Sequence, residues 1–542
     1  MKKKIGLIMA IMVIGMVLAA CGKGNDTKGA NSDNKAIKVT AQGQIATLDS
    51  ALYSDVFSSD AIGQIVEGLY LVDDNNNAVL GLAEKAPEIS KDKKVYTYKI
   101  KDAKWANGDK VTANDFVFAF RKVADPKTAS PSSNETDVFK NGEDVRNGKK
   151  PVKDLGVKAI DDSTLQLTLE HPTPYLAKLL TGTPFLPQNE KFVKAQKGKY
   201  GTSSDTVLAN GPFVIKKWNG TGNSWEFDKN KTYYAKDDIK LNKVSVQVIK
   251  DIGAGVNLYQ TKAADYTGLV ENYAKKYRKD KDYHETPKSL IGYLGFNFKR
   301  TNTGNVHLRK ALSMGFDKEG YTDTILSDGS KPLNGYIPEG FAKDPKNNED
   351  FRKENGDLVT YDVKKAKAEW KQAKKELGKN KLTIELLASD TESSKQTVEF
   401  LQGEWEKNLP GLTVKVKNVP LKNRLQLNSA GDYDVFFGTW TPDYGDPINF
   451  LDGYITNGGI NFPKYSNKEY DKGVAELDTK LAADPEARWQ KMLALEKQLV
   501  QKDAVFAPVY QGATAYLLNS RVKGVQIFPF GRTVSYRNAY VK

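Results

Sequence analysis

The segment Trp440-Thr441-Pro442-Asp443-Tyr444-Gly445-Asp446-Pro447 sets two carboxylates three residues apart, directly after an apolar run. Paired carboxylates can do general acid and base work or hold a cation. Asp446 precedes a proline and then Phe450-Leu451, the pattern of a helix N-cap with proline at the first helical position. That duty leaves Asp443 free to face a ligand. Its alternative is an Asx turn closing the loop, and local spacing does not choose between the two. With one of the pair capping a helix, two independent catalytic roles are not supported, and no catalytic residue is assigned. Trp440 and Tyr444 are candidate apolar walls beside Asp443, with plain core packing as the bland alternative.

Other chemistry is sparse. The three histidines, His171, His284 and His307, lie far apart and in no metal-ligand spacing. There is no GxSxG elbow, no GxxxxGK[ST] loop and no HExxH. No metal site and no cofactor are expected. Thr112-Ala113-Asn114-Asp115 resembles an active-site cluster, but a T-x-x-D box before Phe116, Val117 and Phe120 reads as a capping box.

Cys21 is the only cysteine among 542 residues. It follows three lysines, an apolar core of sixteen residues and Leu18-Ala19-Ala20. This is the pattern of a signal peptide over 1–20, its core shorter than the ~20 residues of a spanning helix. The thiol of Cys21 is the expected lipid-attachment point. The expectation is therefore a protein on the outer face of the cell membrane, lipid-anchored in the manner of Gram-positive surface lipoproteins. Residues 21–36 continue as GKGNDTKGANSDNKA after the cysteine, too polar to bury a core, and read as a flexible tether.

Formal charge is +14, and removing Lys2, Lys3 and Lys4 leaves +11. The lysines are dispersed among acids, so a solvated surface near anionic lipid is expected rather than a nucleic-acid partner. The ~520 remaining residues suffice for two or three packed domains. Without a second thiol, packing alone must hold them.

Elements alternate in period after Ile37. Residues 382–387 read as a strand, and 391–409 as a helix with Val398, Leu401, Trp405 and Leu409 on one stripe. Residues 412–416 alternate again, and 433–440 form a third, mostly apolar strand. Val363, Ala366, Trp370, Ala373 and Leu377 mark another helix. Asp484-Pro485 starts one bearing Trp489, Met492, Leu493 and Leu499. Strand, helix, strand is the signature of an α/β lobe, and ligands in open α/β sheets gather outside the carboxyl ends of strands, where the loop 440–447 falls.

Several segments together carry a resemblance. Gly81-Leu82-Ala83-Glu84, then YTYKIKDAKWANGDKVTANDFVFAFRKVADPKTAS ending at Ser130, and GKKPVKDLGVKAIDDSTLQLTLEHPTPY ending at Tyr175, are three of them. Asn210-Gly211-Pro212-Phe213, Gly295-Phe296-Asn297, Val306-His307-Leu308-Arg309-Lys310-Ala311-Leu312 and the loop 440–447 complete the set. In this order the chain resembles the extracellular solute-binding lipoproteins of ABC importers, in the peptide- and nickel-binding family, most of all its oligopeptide-binding branch.

The resemblance implies an α/β, two-lobed periplasmic-binding-protein-like fold with mixed sheets flanked by helices, an extra domain, and a ligand cleft between the lobes. It implies a first lobe from 37–80, 206–293 and 508–542, an extra domain at 81–205 and a second lobe at 294–507. It implies oligopeptides as ligands, an ABC permease with its ATPase subunits as partners, and a monomer that is not an enzyme. It also implies that Asp443 meets the peptide amine, while main chain and side chains at Thr439, Trp440, Thr441 and Tyr444, and at Ser54, Val56 and Phe57 within 52–58, line the ligand. Some relatives carry a basic residue three places before the loop tryptophan. Here that place is Phe437, with Arg424 a substitute on the preceding helix, so the seat of a peptide carboxylate is left open. A receptor for peptide pheromones or cell-wall peptides is the nearest alternative. A carboxylate hydrolase and an extracellular chaperone are more remote.

Overall fold

A computed structural model describes residues 35–542. The signal segment, Cys21 and most of the tether lie outside the described residues.

Eleven strands form one mixed sheet. Its path runs Leu412–Val419, Leu382–Ser389, Val435–Trp440, Tyr283–Phe296, Phe506–Leu518, Tyr266–Leu269, Ala36–Ala41, Lys243–Val248, Ser224–Lys229, Phe213–Lys216, with Lys331–Pro332 added beside Phe506–Leu518. Both ends hold parallel pairs: Leu382–Ser389 with Leu412–Val419, and Ala36–Ala41 with Lys243–Val248. Parallel pairing needs crossovers and buries both faces. Helices supply that cover, such as Glu392–Asn408 with Val398, Leu401 and Trp405 buried against the strands beside it.

The centre differs. Tyr283–Phe296 and Phe506–Leu518 are long antiparallel strands, and they are shared by both ends of the sheet. Their register holds from Tyr283↔Leu517 to Pro287↔Ala513, breaks, and resumes at Ile291↔Gln511. A bulge of this kind bends and twists a strand. Gln511 stitches it, donating from Nε2 to the Lys288 carbonyl at 2.9 Å. The α/β fold implied by the resemblance is present, and this strand pair is shared by the two halves of the sheet.

A separate four-stranded antiparallel sheet comprises Glu88–Ile89, Val95–Lys99, Thr164–Thr168 and Val157–Asp161. Helix Ala113–Ala124 packs on it through Phe116 and Phe120, the latter stacked on Phe139 at 5.6 Å between ring centroids. Thr112 and Asp115 form the capping box at the start of this helix. The strands and helices expected at 382–387, 391–409, 412–416, 433–440, 363–377 and after Asp484 are all present within a few residues.

Gly295 in the long strand is required by close approach. A Cβ there would sit 2.2 Å from the Phe436 ring on the paired strand. Gly295→Ala is expected to destabilise by about 1–3 kcal/mol through overpacking. Urea unfolding should show a lower midpoint at unchanged m-value; an unchanged midpoint rejects the packing account.

Candidate functional site

Strand Val435–Trp440 is paired in the sheet and ends at the loop 440–447, which therefore leaves a fixed platform. Asp446 accepts from the Ile448 N–H at 3.1 Å and begins the short helix Pro447–Phe450, as its sequence position suggested. It has a second role. Arg488 donates from Nη1 and Nη2 to its two carboxylate oxygens at 3.0 and 2.9 Å, both residues being buried. Burial by itself would raise the Asp446 carboxyl, but the guanidinium, its hydrogen bonds and nearby Lys178 outweigh that and hold it below the usual range.

The loop is also braced from residues 171–180. Tyr175 stacks on Tyr444 with centroids 4.7 Å apart and planes 6° from parallel. Lys178 donates from Nζ to the Gly445 carbonyl at 2.6 Å. One face of Tyr444 is thus committed to Tyr175. Trp440 is half-buried with its Nε1 lacking a partner, and Thr439 and Thr441 are exposed.

Asp443 has a different setting. Its backbone N–H is held by the Asn449 Oδ1 at 2.8 Å, which fixes the loop, and its side chain keeps solvent-accessible surface. Protein nevertheless crowds it closely enough for desolvation to raise its carboxyl, with an Asn449 hydrogen bond acting the other way. Nothing in the Asp443 sequence context marked its neighbours. Glu135, in the short helix Ser133–Val138, is pushed up to about 8, first by burial and then by the charge of Asp443. The Tyr53 hydroxyl is raised too, by burial and then by Glu135, with Asp443 also contributing; hydrogen bonds to Ser132 and Thr183 oppose this. No basic side chain of the described residues moderates Glu135 or Asp443. Tyr53, Glu135 and Asp443, from three distant stretches, thus lie within electrostatic reach of one another.

Sequence reasoning missed Glu135 and Tyr53. The only local signal is that Tyr53 adjoins Ser54. Of the 52–58 group, Asp55 caps helix Val56–Ile65 by accepting from the Ser58 N–H at 2.8 Å. The Phe57 ring lies over Gly43, whose missing Cβ makes the space. Ser54 is exposed, and Val56 remains 45 % exposed despite being apolar. Arg424 is buried, donates from Nη1 to the Phe437 carbonyl at 3.1 Å, and leaves Nε unpaired. Among the described residues, no group of three or more His, Cys, Asp or Glu could hold a metal ion.

The arrangement presents the Asp443 carboxylate, with no cation beside it, on a loop held by Asn449, where it can meet a cationic group. Comparison with known proteins agrees with a binding role. The model of the bacterial extracellular solute-binding proteins, family 5, matches residues 77–462, and the chain belongs to that family. It is 32 % identical to a dipeptide-binding protein of Lactococcus lactis, over 100 % of this chain and 99 % of that one. A structure of OppA from Listeria monocytogenes bound to peptide is 43 % identical, with a TM-score of 0.76 over 94 % of this chain and 100 % of that one. The pheromone receptor PrgZ is 34 % identical, with the same TM-score and the same coverage. The chain is accordingly a solute-binding protein of the kind that serves ABC importers.

Two outcomes follow from this geometry. Asp446→Ala leaves the Arg488 charge buried and alone, and an unfolding measurement should show about 3–5 kcal/mol lost. A loss under about 1 kcal/mol would mean the pair is not structural. Glu135 carries a pH signature. An ordinary glutamate ionises near pH ~4.3, so between there and about 8 the folded chain keeps a proton that the unfolded chain has lost. This contribution to stability is full below the ordinary value and is lost as pH rises through that window. Glu135→Gln should flatten the fall in unfolding midpoint between pH 5 and 8 relative to the parent; parallel curves refute the assignment.

Proposed function

We propose that this protein captures oligopeptides outside the cell and hands them to the permease of an ABC importer, whose ATPase subunits drive uptake. The observation that carries the reading is Asp443, its backbone N–H held by the Asn449 side chain and its carboxylate without a cation beside it. A peptide's α-amino group titrates near ~7.7–8.0 and a carboxylate near ~3.9, so at neutral pH the two attract as opposite charges. Their ion pair forms where lobe closure removes water, which strengthens the attraction and costs desolvation. Asp443 is therefore assigned to the guest's amine.

Sequence tolerance requires contacts that ignore side chains. Main-chain hydrogen bonds along Thr439, Trp440 and Thr441, and along Ser54, Val56 and Phe57, are assigned that role, as in strand addition. Each adds only ~1 kcal/mol, so several act together. The relatives named for dipeptides and oligopeptides support a peptide guest. Membership in a solute-binding family supports capture without turnover. We assign the lobes to 37–80 with 206–293 and 508–542, and to 294–507, with the extra domain at 81–205. Lipid attachment at Cys21, over a protein that acts as a monomer, completes the reading.

A second reading is a receptor for a signalling or cell-wall peptide. Its support is the likeness to the pheromone receptor PrgZ and to the murein peptide-binding protein MppA of Escherichia coli, the latter 28 % identical. Mass spectrometry of guests carried through purification separates the two: a mixed set of lengths supports nutrition, one defined peptide supports signalling.

Asp443→Asn should weaken binding by about 1.5–3 kcal/mol, the worth of a hydrogen bond to a charged group, or roughly ten- to a hundredfold in Kd. An N-acetylated peptide should show a comparable loss against the parent protein and little further loss against the variant. Equal affinity of free and acetylated peptides for the parent overturns the role of Asp443.

A further inference from the structure

Helix Leu421–Ala430 is turned inside out. Leu421 and Leu425, one turn apart, are 54 % and 40 % exposed. Arg424 and Asn428, also one turn apart, are 8 % and 0 % exposed. A surface helix ordinarily buries its apolar stripe and shows its polar one to water. Of the three leucines here, only Leu427 packs on the core. The inner face is polar, and that face needs a physical reason.

Strand Val435–Trp440 makes room for the arginine. At Gly438 a Cβ would come 2.8 Å from the Arg424 Nη1. Among the described residues, the single hydrogen bond of this guanidinium runs from Nη1 to the Phe437 carbonyl at 3.1 Å. Its Nε is buried and unpaired, and both amide atoms of Asn428 are in the same condition. The edge formed by Nε and Nη2 is therefore open. Such an edge grips a carboxylate-shaped anion through two parallel hydrogen bonds. Asn428, one turn along the same helix face, supplies a further N–H donor.

Charge decides between an anion and water. Water can satisfy an amide or an Nε–H, but it does not neutralise a guanidinium. Burial lowers the Arg424 guanidinium from its ordinary value, and among the described residues only Tyr293 opposes this; no carboxylate does. Tyr293 is the cross-strand partner of Gly438, and burial raises its phenol, so it is uncharged at neutral pH. Two other buried cations show how this fold treats such groups without an ion pair. Arg309 donates to the carbonyls of Thr303, Gly304, Asp503 and Ala504 at 2.8 to 3.0 Å. Lys318 donates to the Leu333 and Val359 carbonyls, both at 2.8 Å, and to the Asn334 Oδ1 at 3.3 Å. Arg424 has one carbonyl. A buried charge so poorly met is costly unless a counter-charge joins it.

We infer that Arg424 and Asn428 hold one small planar oxyanion, of the carboxylate or bicarbonate class, between helix Leu421–Ala430 and the sheet. The anion is a free solute. An arginine only 8 % exposed admits an ion of a few atoms, not a peptide terminus with its chain behind it. The bound ion stabilises the half of the sheet that carries the loop 440–447, and this role does not depend on peptide capture.

Thermal unfolding of the mature protein in sodium formate, from none to about 100 mM, tests it. The midpoint should rise with the logarithm of formate concentration once the dissociation constant is passed. Arg424→Met removes the buried charge, so it should unfold no lower than the parent without formate and show no rise with it. Asn428→Leu should lose most of the rise. No rise in the parent, or an equal rise in all three proteins, overturns the inference. A second readout needs no variant: the resonance of isotopically labelled formate should broaden in the presence of the parent and sharpen again with excess bicarbonate. An unchanged line overturns the inference equally. A free-acid peptide that loses about tenfold or more in affinity on Arg424→Met, while its C-terminal amide loses nothing, puts the guest's own carboxylate on Arg424 and overturns it too.

Discussion

The antiparallel pairing of Tyr283–Phe296 with Phe506–Leu518 is the constraint on which the rest depends. Strand Val435–Trp440 hangs from one side of the pair and Tyr266–Leu269 from the other, so both walls of the groove share one hydrogen-bonded ladder. The same ladder shifts register twice, at residues 288–290, where Gln511 substitutes side-chain bonds to the Lys288 and Glu339 carbonyls, and again between Gly292 and Tyr293. The paired stretches on either side set the relative placement of the walls. The irregular stretch is where backbone torsions can change without breaking either half. Glycines 292 and 295 belong to this strand, and each lets an aromatic ring approach the backbone.

Charge is distributed by the same economy. Several buried acids have cations beside them: Asp446 with Arg488, Asp49 with Lys122, Asp265 with Arg521, Glu496 with Arg352. Those pairs serve the fold, because an unpaired buried charge is costly. No ion pair covers Asp443 or Glu135, and the charge of Asp443 adds to burial in holding the Glu135 proton. Asp452, raised to about 7 by burial and then by Asp478, with Asp443 and Asp446 adding to it, deepens the negative field behind the loop. A deficit of positive charge, maintained on a rigid loop, is an arrangement that a cationic guest group relieves.

Much of this was legible in the residues. The period-2 and period-3.6 stretches from 363 to 440 became the strands and helices they indicated, because each is a local pattern with one buried face. Thr112 with Asp115, and Asp446 with Pro447, announced helix starts because capping is decided within a few residues. Asp443, in the same short loop, was left open between a ligand contact and a turn residue, and only the resemblance implied the former. The family could be read from several weak segments in order, since together they span most of the chain.

Other features could not be read that way. Glu135 sits in a stretch of serine and asparagine with no periodic signal, and only the packing of 133–138 brings it to Asp443, 308 positions later. Tyr175 and Lys178 reach the loop from residues that read locally as a helix start, and Arg488 reaches Asp446 from a helix 42 residues away. Sequence by itself determined the elements, their caps and the candidate loop, because those depend on neighbours along the chain. Tertiary structure alone decided which carboxylate stays unpaired and which rings and cations brace the loop, because charge compensation and packing act between residues that the chain separates by tens to hundreds of positions.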